Sequence, residues 1–338
     1  MRPVLRARTA TASGGEGTGR MGRMTISETL PVIAIVGPTG TGKSALAIEL
    51  ALRLNGECIN ADSMQFYRGM DIGTAKTPPE QRRVELQMVD VCDVNQNYSV
   101  DLFQKQARRC VDALLREGRQ PILCGGTGLY LDAVIDEMEF PAGDIQSASR
   151  EHYTRFLEEQ GPAALYELLC QKDSQSAHEI HPNNMRRVIR ALELHDQGLS
   201  YASIHSGLLQ RKAHYPVLIF GLTHNREELY ARIDTRVDCM FEQGLVDEVR
   251  ALLKQGLCNA QTAHKAIGYK EIIDALEGRI SLDEARALIK LHTRHYAKRQ
   301  LSWLKRDKRT IWVSLDDMTQ QEAVTFITSS IEQWKQDR

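Results

Sequence analysis

No apolar run in this chain approaches the roughly 20 residues that a helical membrane span requires. No two of its seven cysteines, Cys58, Cys92, Cys110, Cys124, Cys170, Cys239 and Cys258, stand at C-x-x-C spacing, and no Cys/His cluster reads as a zinc site. Odd in number and scattered, they point to free thiols in a reducing compartment rather than to a disulfide framework. A charge excess of either sign is also missing. The formal net charge is −1, so any contact with nucleic acid must rest on local basic patches. There is no internal repeat, and no low-complexity stretch beyond the N-terminal tail. What remains is 338 residues, 42% hydrophobic and 26% charged, the make-up of a globular protein. That length suits two domains or one large domain with an insertion.

The first thirty residues differ from the rest. Arg2, Arg6, Arg8, Arg20 and Arg23 sit among Ala, Thr, Ser and Gly with few acids, which in composition resembles an organelle transit peptide. No sustained amphipathic face accompanies them. The preferred reading is therefore a disordered tail or an upstream start, with Met21 or Met24 as the true beginning.

Gly37, Pro38, Thr39, Gly40, Thr41, Gly42, Lys43 and Ser44 spell the phosphate-cradling loop G-x-x-x-x-G-K-S/T. The apolar run Val32 to Val36 precedes it and a helical stretch from Ala45 follows. This strand-loop-helix context separates a working loop from a chance match. Glycines let backbone N–H groups point at an anion, and the helix N-terminus adds a favourable dipole. Lys43 reaches the outer phosphates in such a loop, and the Ser44 hydroxyl helps hold Mg²⁺. The loop does not say which phosphate compound it takes.

Strand-like runs alternate with helical patterns: Glu57 to Asn60, Leu86 to Val91, then a helix from Val100 to Arg116 and a strand from Pro121 to Cys124. Pro216 to Phe220 and Thr310 to Val313 are later strands. The pattern predicts an α/β fold, a P-loop NTPase-like parallel sheet with helices on both faces. Residues 137–208 are helical and polar, as an inserted helical domain would be. The expected organisation is a tail over 1–30, a core over 31–136 and 209–318 with basic helices in its second part, and a final helix over 319–338.

Asn60 to Lys76 reads N-A-D-S-M-Q-F-Y-R-G-M-D-I-G-T-A-K, directly after the second strand. Strand C-termini in open α/β sheets face the ligand crevice, so Asp62 is placed to meet a phosphate, its Mg²⁺ or an acceptor nucleophile. An N-cap role explains it equally well. Gly125 to Tyr130, G-G-T-G-L-Y, follows the fourth strand, where a close backbone approach to a ligand and a simple turn both remain open. His181 to Glu193 reads H-P-N-N-M-R-R-V-I-R-A-L-E, Ala266 to Glu271 reads A-I-G-Y-K-E, and Thr293 to Trp303 reads T-R-H-Y-A-K-R-Q-L-S-W. In this order, over roughly residues 31 to 315, these motifs closely resemble the tRNA dimethylallyltransferase (tRNA isopentenyltransferase) family.

The resemblance implies transfer of a dimethylallyl group from dimethylallyl diphosphate to N6 of adenosine 37, beside the tRNA anticodon, in tRNAs that read codons beginning with U. It implies that the P-loop grips the donor's diphosphate, with Mg²⁺, and hydrolyses no nucleotide. It makes Asp62 the general base on N6, since the adenine amine is a poor nucleophile that gains from losing its proton as the bond forms. Thr127 would hydrogen-bond near the bridging oxygen, and Lys43 would stabilise the leaving diphosphate. Arg232, then Arg236, are the arginines expected there. They stand four apart on one helix face, where the alternative is a solvated face with Glu228 paired to Arg232.

For tRNA, the candidates are Asp62, Ser63, Met64 and Gln65, which would cradle the flipped adenosine, together with Thr127. Basic segments add Arg186, Arg187, Val188, Ile189 and Arg190, then Lys265, Ala266, Ile267, Gly268, Tyr269 and Lys270. Arg150 is a candidate by resemblance alone. Arg294, Lys298 and Lys305 share a helical face, with Arg299 and Arg306 on an adjacent stripe. They could meet backbone phosphates or line the diphosphate end of the channel.

Gly40 and Ser44 replace the Ala and Thr common in relatives, both compatibly. No Cys/His pair lies near Trp334, which matches a short bacterial form; a cytoplasmic location and a monomer are the further expectations. Competing readings are an adenylate isopentenyltransferase acting on AMP or ATP, a P-loop kinase for a small metabolite, and an RNA-binding protein whose loop senses a nucleotide.

Overall fold

The computed structural model describes residues 30–141, 147–208, 210–260 and 262–337; the Arg-rich tail of 1–29 lies outside the described residues. The chain runs β1 (Val32–Val36), α1 (Lys43–Arg53), β2 (Gly56–Asn60), β3 (Leu86–Gln87), α2 (Val100–Arg116), β4 (Gln120–Gly125) and α3 (Gly128–Ile135). Four helices follow: α4 (Ala148–Lys172), α5 (Ser174–Glu179), α6 (Met185–Asp196) and α7 (Tyr201–Leu208). Then come β5 (Val217–Thr223), α8 (Arg226–Glu242), α9 (Leu245–Lys254), α10 (Tyr269–Leu276), α11 (Leu282–Leu304), β6 (Thr310–Ser314) and α12 (Gln320–Gln336).

The six strands form one parallel sheet in the order β3-β2-β4-β1-β5-β6. Strand β1 is apolar throughout and buried at every position, as a central parallel strand covered on both faces must be. Its alternation divides the core in two. Val32, Ala34 and Val36 face a cluster with Phe103, Val111, Leu245 and Tyr269. Ile33 and Ile35 face a second with Leu46 and Leu50 of α1 and Ile327 of α12. Because β2, β4 and β1 are neighbours, the segments that leave their C-terminal ends emerge side by side. Those segments are Asp62 to Gln65, Gly125 to Gly128 and the P-loop.

The strand expected over Leu86 to Val91 stops at Gln87. Met88 and Asp90 adopt left-handed conformations with φ of 61° and 57°, which turn the chain out of the sheet. Asn60 holds this bend by donating to the Met88 carbonyl at 3.0 Å.

Helices α4 to α7 have their own core, built from Tyr153, Leu165, Leu169, Val188, Ala191 and Leu192. Gly161, at φ 82°, and Pro162 kink α4. A short antiparallel ladder joins this group to the sheet body, with Glu137 N–H on the Lys212 carbonyl and His214 N–H on that of Ile135. No helix among the described residues is long and apolar enough to cross a membrane.

Candidate active site at the strand ends

Gly40 and Gly42 of the P-loop sit at φ 89° and 84°, conformations only glycine adopts freely. Gly42 precedes α1, and no side chain caps that helix, so its first-turn N–H groups stay available to an anion. Thr41 Oγ1 donates to the Pro38 carbonyl at 2.9 Å and fixes the loop from within. Lys43 is buried, and burial pushes its ammonium below its ordinary value of 10.5, with the nearby Asp62 carboxylate opposing. A cation held at that cost is set to receive an anion.

Asp62 both caps a turn and lines a cavity. Its Oδ1 accepts from the Met64 N–H at 3.2 Å and caps the turn Ser63–Phe66. It also lines a cavity of about 350 Å³ with Lys43, Ser44 and Arg236. Asn60 fixes it, accepting the Asp62 N–H at 3.0 Å and donating to the Asp62 carbonyl at 3.1 Å. The Thr127 hydroxyl accepts the Ser63 N–H at 3.3 Å and also pairs with the Tyr296 phenol. Burial pushes that phenol up to about 12, and the Asp62 charge adds to the shift.

Close packing accounts for the glycines of the G-G-T-G segment, and Gly125 also lines the cavity. A Cβ at Gly125 would lie 2.4 Å from the Ala61 carbonyl carbon, one at Gly126 2.1 Å from Gln300 Nε2, and one at Gly128 1.9 Å from Trp303 Cδ1. Helix α11 thus packs directly on this loop. Gln300 donates to the Gly126 carbonyl at 3.0 Å and accepts the Thr39 N–H at 2.9 Å, which braces the P-loop against the loop after β4.

Arg236 lines the cavity; its charge is raised in cost by burial and favoured by Asp62. Arg232 sits at the loop's flank, where its Nε donates to the Gly40 carbonyl at 3.0 Å and its Nη1 lies 3.6 Å from the Glu228 carboxylate. The cavity wall is apolar where Val237, Met240 and Ile289 meet. Thr293, Tyr296 and Arg299 of α11 complete it. Tyr296 and Thr293 received no role from their motif, although spacings of 293, 296 and 300 lie on one helical face and could have singled them out.

Met64, Lys265 and Ala266 line both this cavity and a wider cleft of about 1190 Å³, walled by Arg150, Arg155, Arg186 and Ile189. Ile267 and Gly268 line the inner cavity. Arg187 and Lys270 are exposed. Two of the residues expected at the tRNA lie in the core. Val188 is fully buried in the core of α4 to α7, and Tyr269 is fully buried with its hydroxyl on Glu248, so neither offers a side chain to RNA. Arg150 and Arg190 both reach the buried Glu193, at 2.7 and 3.5 Å. In the basic stripe, Arg294 is bound by Asp234 at 2.8 Å, while Lys298 and Lys305 are exposed.

Asp132, Asp136 and Asp307 cluster with ligand atoms within 4.8 Å of one another. Arg211 and Arg309 already occupy them, with Arg211 2.9 Å from Asp307 and Arg309 2.6 Å from Asp136. Trp303 donates to Asp132 at 3.0 Å. The protein supplies its own cations here.

A P-loop after β1, an acid after β2 on the far side of β4, and a partly buried arginine around one cavity define an α/β fold with a site suited to a phosphate-bearing substrate. The profile of the IPP transferase family matches residues 65–307, and that of the isopentenyl transferases residues 30–89. The chain belongs to the IPP transferase family. A tRNA dimethylallyltransferase of Carboxydothermus hydrogenoformans is 46% identical over 283 residues, covering 83% of this chain and 91% of that one. One of Streptomyces coelicolor is 47% identical over 284 residues, covering 84% and 90%. The full-length tRNA isopentenylpyrophosphate transferase of Bacillus halodurans superposes with TM-score 0.66 at 40% identity, over 91% of this chain and 98% of that one. A eukaryotic dimethylallyltransferase described as acting on tRNA reaches TM-score 0.77 at 28% identity, over 90% and 80%.

Proposed function

We propose that this chain is a tRNA dimethylallyltransferase that uses dimethylallyl diphosphate to alkylate N6 of adenosine 37 in the anticodon loop. The observation that carries this reading is the single cavity in which Asp62 faces Lys43, Ser44 and Arg236 beside an apolar wall, opening at Met64 and Lys265 onto the wider cleft. A diphosphate fits the cationic end and a five-carbon chain fits Val237, Met240 and Ile289. The cleft has the scale of a nucleic-acid loop rather than a mononucleotide, and single-stranded loops are the readable parts of RNA.

Extruding the adenosine costs a few kcal/mol of stacking. The turn Ser63–Phe66, with Met64 at the junction, is where the base would enter. The N6 lone pair then attacks the donor's first carbon, the carbon–oxygen bond breaks, and diphosphate leaves. Asp62 takes the N6 proton. Lys43, Arg236 and the loop N–H groups stabilise the charge that develops on the leaving group, with Arg232 on the loop's flank. Thr127, held by Ser63 and Tyr296, would hydrogen-bond near the bridging oxygen.

The Ser44 hydroxyl, beside Lys43 at the cationic end, suits Mg²⁺, which keeps few protein ligands and completes its shell with phosphate oxygens and water. Ser44 would hold it together with the donor's diphosphate, and the ion would supply further neutralisation of that group. We assign residues 137–208 to tRNA contact, and a cytoplasmic monomer as the working form. The tRNAs proposed as substrates read codons beginning with U.

Labelled dimethylallyl diphosphate offered with unmodified tRNA, with AMP, or alone tests the reading. Label in tRNA supports it. Label in AMP only would make the chain an adenylate isopentenyltransferase, and a preference for ATP over the prenyl donor would make it a kinase.

A further inference from the structure

One carboxylate outside the set described above is saturated with donors. The backbone N–H groups of Asp71, Ile72 and Gly73, three in succession, donate to Glu248 of α9 at 3.0, 2.7 and 3.1 Å. The Tyr269 hydroxyl donates to the same group at 2.6 Å. A carboxylate offers about four lone-pair sites, so these donors use it fully. Successive N–H groups pointing to one spot form a nest that elsewhere binds a free anion. Here the anion is a side chain from 175 to 177 residues further along the chain.

The nest opens a stretch that forms one wall of the reaction cavity. Gly73, Thr74, Ala75, Lys76 and Thr77 all line it. Lys76 is buried and tied to the Tyr67 carbonyl at 2.6 Å, to Asp71 at 2.7 Å and to Asp90 at 2.6 Å. Gln65 donates to the Thr74 carbonyl at 3.1 Å, which joins this wall to the turn that carries Asp62. On the other side, Gly268 lines the cavity immediately before Tyr269. The Tyr269 ring lies flat against Gly73, where an added Cβ would come within 2.6 Å of Cε2. Burial and the Glu248 charge hold the phenol protonated, well above its ordinary value of 10, so it stays a donor.

We infer that Glu248 is a positioning residue for the donor: by gripping three N–H groups of the loop and the Tyr269 hydroxyl, it sets the distance between two walls of the cavity. Ala75, Lys76 and Thr77 also border an outer cleft with Lys43, Ser44 and Arg236, so the wall it fixes is the one at the diphosphate end. The alternative is a brace that contributes stability alone. The inference rests on the proposed function only for the identity of the donor.

The test uses the full chain with Glu248→Gln and Tyr269→Phe, inorganic diphosphate as probe, and the transfer assay. Glu248→Gln keeps the shape but turns an NH₂ toward a donor. It is expected to weaken diphosphate binding and raise the donor KM by about tenfold, with kcat within about threefold and tRNA affinity unchanged. Tyr269→Phe should move the same two quantities by about threefold. A folded Glu248→Gln variant with wild-type diphosphate affinity and donor KM overturns the inference, whatever its melting temperature. If that variant does not fold, an unchanged donor KM in Tyr269→Phe overturns it. A wild-type chain that binds diphosphate but transfers nothing to tRNA sinks the proposed function instead. The diphosphate affinities of the variants still decide the role of Glu248.

Discussion

Ser63 donates its backbone N–H to the Thr127 hydroxyl at 3.3 Å, across 64 residues of sequence. This bond ties the segment after β2, which carries Asp62, to the segment after β4, which carries Thr127. Thr127→Val keeps the shape and removes the hydroxyl. Single-turnover transfer is expected to slow by about 10- to 100-fold, while Thr127→Ser retains most of the rate.

Lys43 gives a pH signature. Its folded-state pKa lies below 10.5 because burial penalises the ammonium. Below that folded value both folded and unfolded chains carry the proton, and the folded chain bears the full cost of burying it. The cost is relieved as pH rises from the folded pKa through 10.5. Lys43→Met should therefore be more stable than wild type at neutral pH, by about 1 kcal/mol, and should lose diphosphate affinity. Denaturant unfolding at neutral and alkaline pH checks this: the stability gap should close toward the upper end of that range.

Helix α11 leaves no room at Gly128. An added methyl would meet the Trp303 indole at 1.9 Å. Gly128→Ala should cost about 2 kcal/mol or more, and shift the Trp303 fluorescence as its bond to Asp132 is disturbed. Thermal unfolding and emission spectra read both effects.

Arg150 and Arg186 line one cleft but should fail differently. Arg150 reaches the fully buried Glu193, so Arg150→Ala leaves that carboxylate with less compensation and should destabilise the chain by about 1–3 kcal/mol. Arg186 is exposed. Arg186→Ala should leave stability unchanged, weaken tRNA binding, and lower the slope of log affinity against log salt by about 1. Titrations at several salt concentrations, with melting curves, separate the two.

Much of this was legible before the fold was known. The run Val32 to Val36 and the loop after it announce a central strand and its anion site, because both signals are local. Asp62 could be placed at a strand end, but whether it capped or reacted could not be decided, since the cap bond and the cavity coexist. That the Val188 and Tyr269 side chains point into the core was not legible, because a motif marks a residue without saying which way it points. The grip of Glu248 on residues 71–73 was invisible, because nothing in α9 signals a contact made to backbone groups 175 residues away. Burial of Glu193 likewise turned Arg150 and Arg190 from free basic groups into partners of one acid.

Asp62→Asn tests the central claim most directly. Asparagine caps a turn as well as aspartate does, so the Ser63–Phe66 turn and the melting temperature should persist. With labelled dimethylallyl diphosphate and unmodified tRNA, followed by digestion to nucleosides, wild type should place the label on N6 of the adenosine beside the anticodon. The variant should do so about 10²- to 10⁴-fold more slowly. A folded Asp62→Asn chain that transfers at the wild-type rate would contradict the assignment of Asp62 as the base in this cavity.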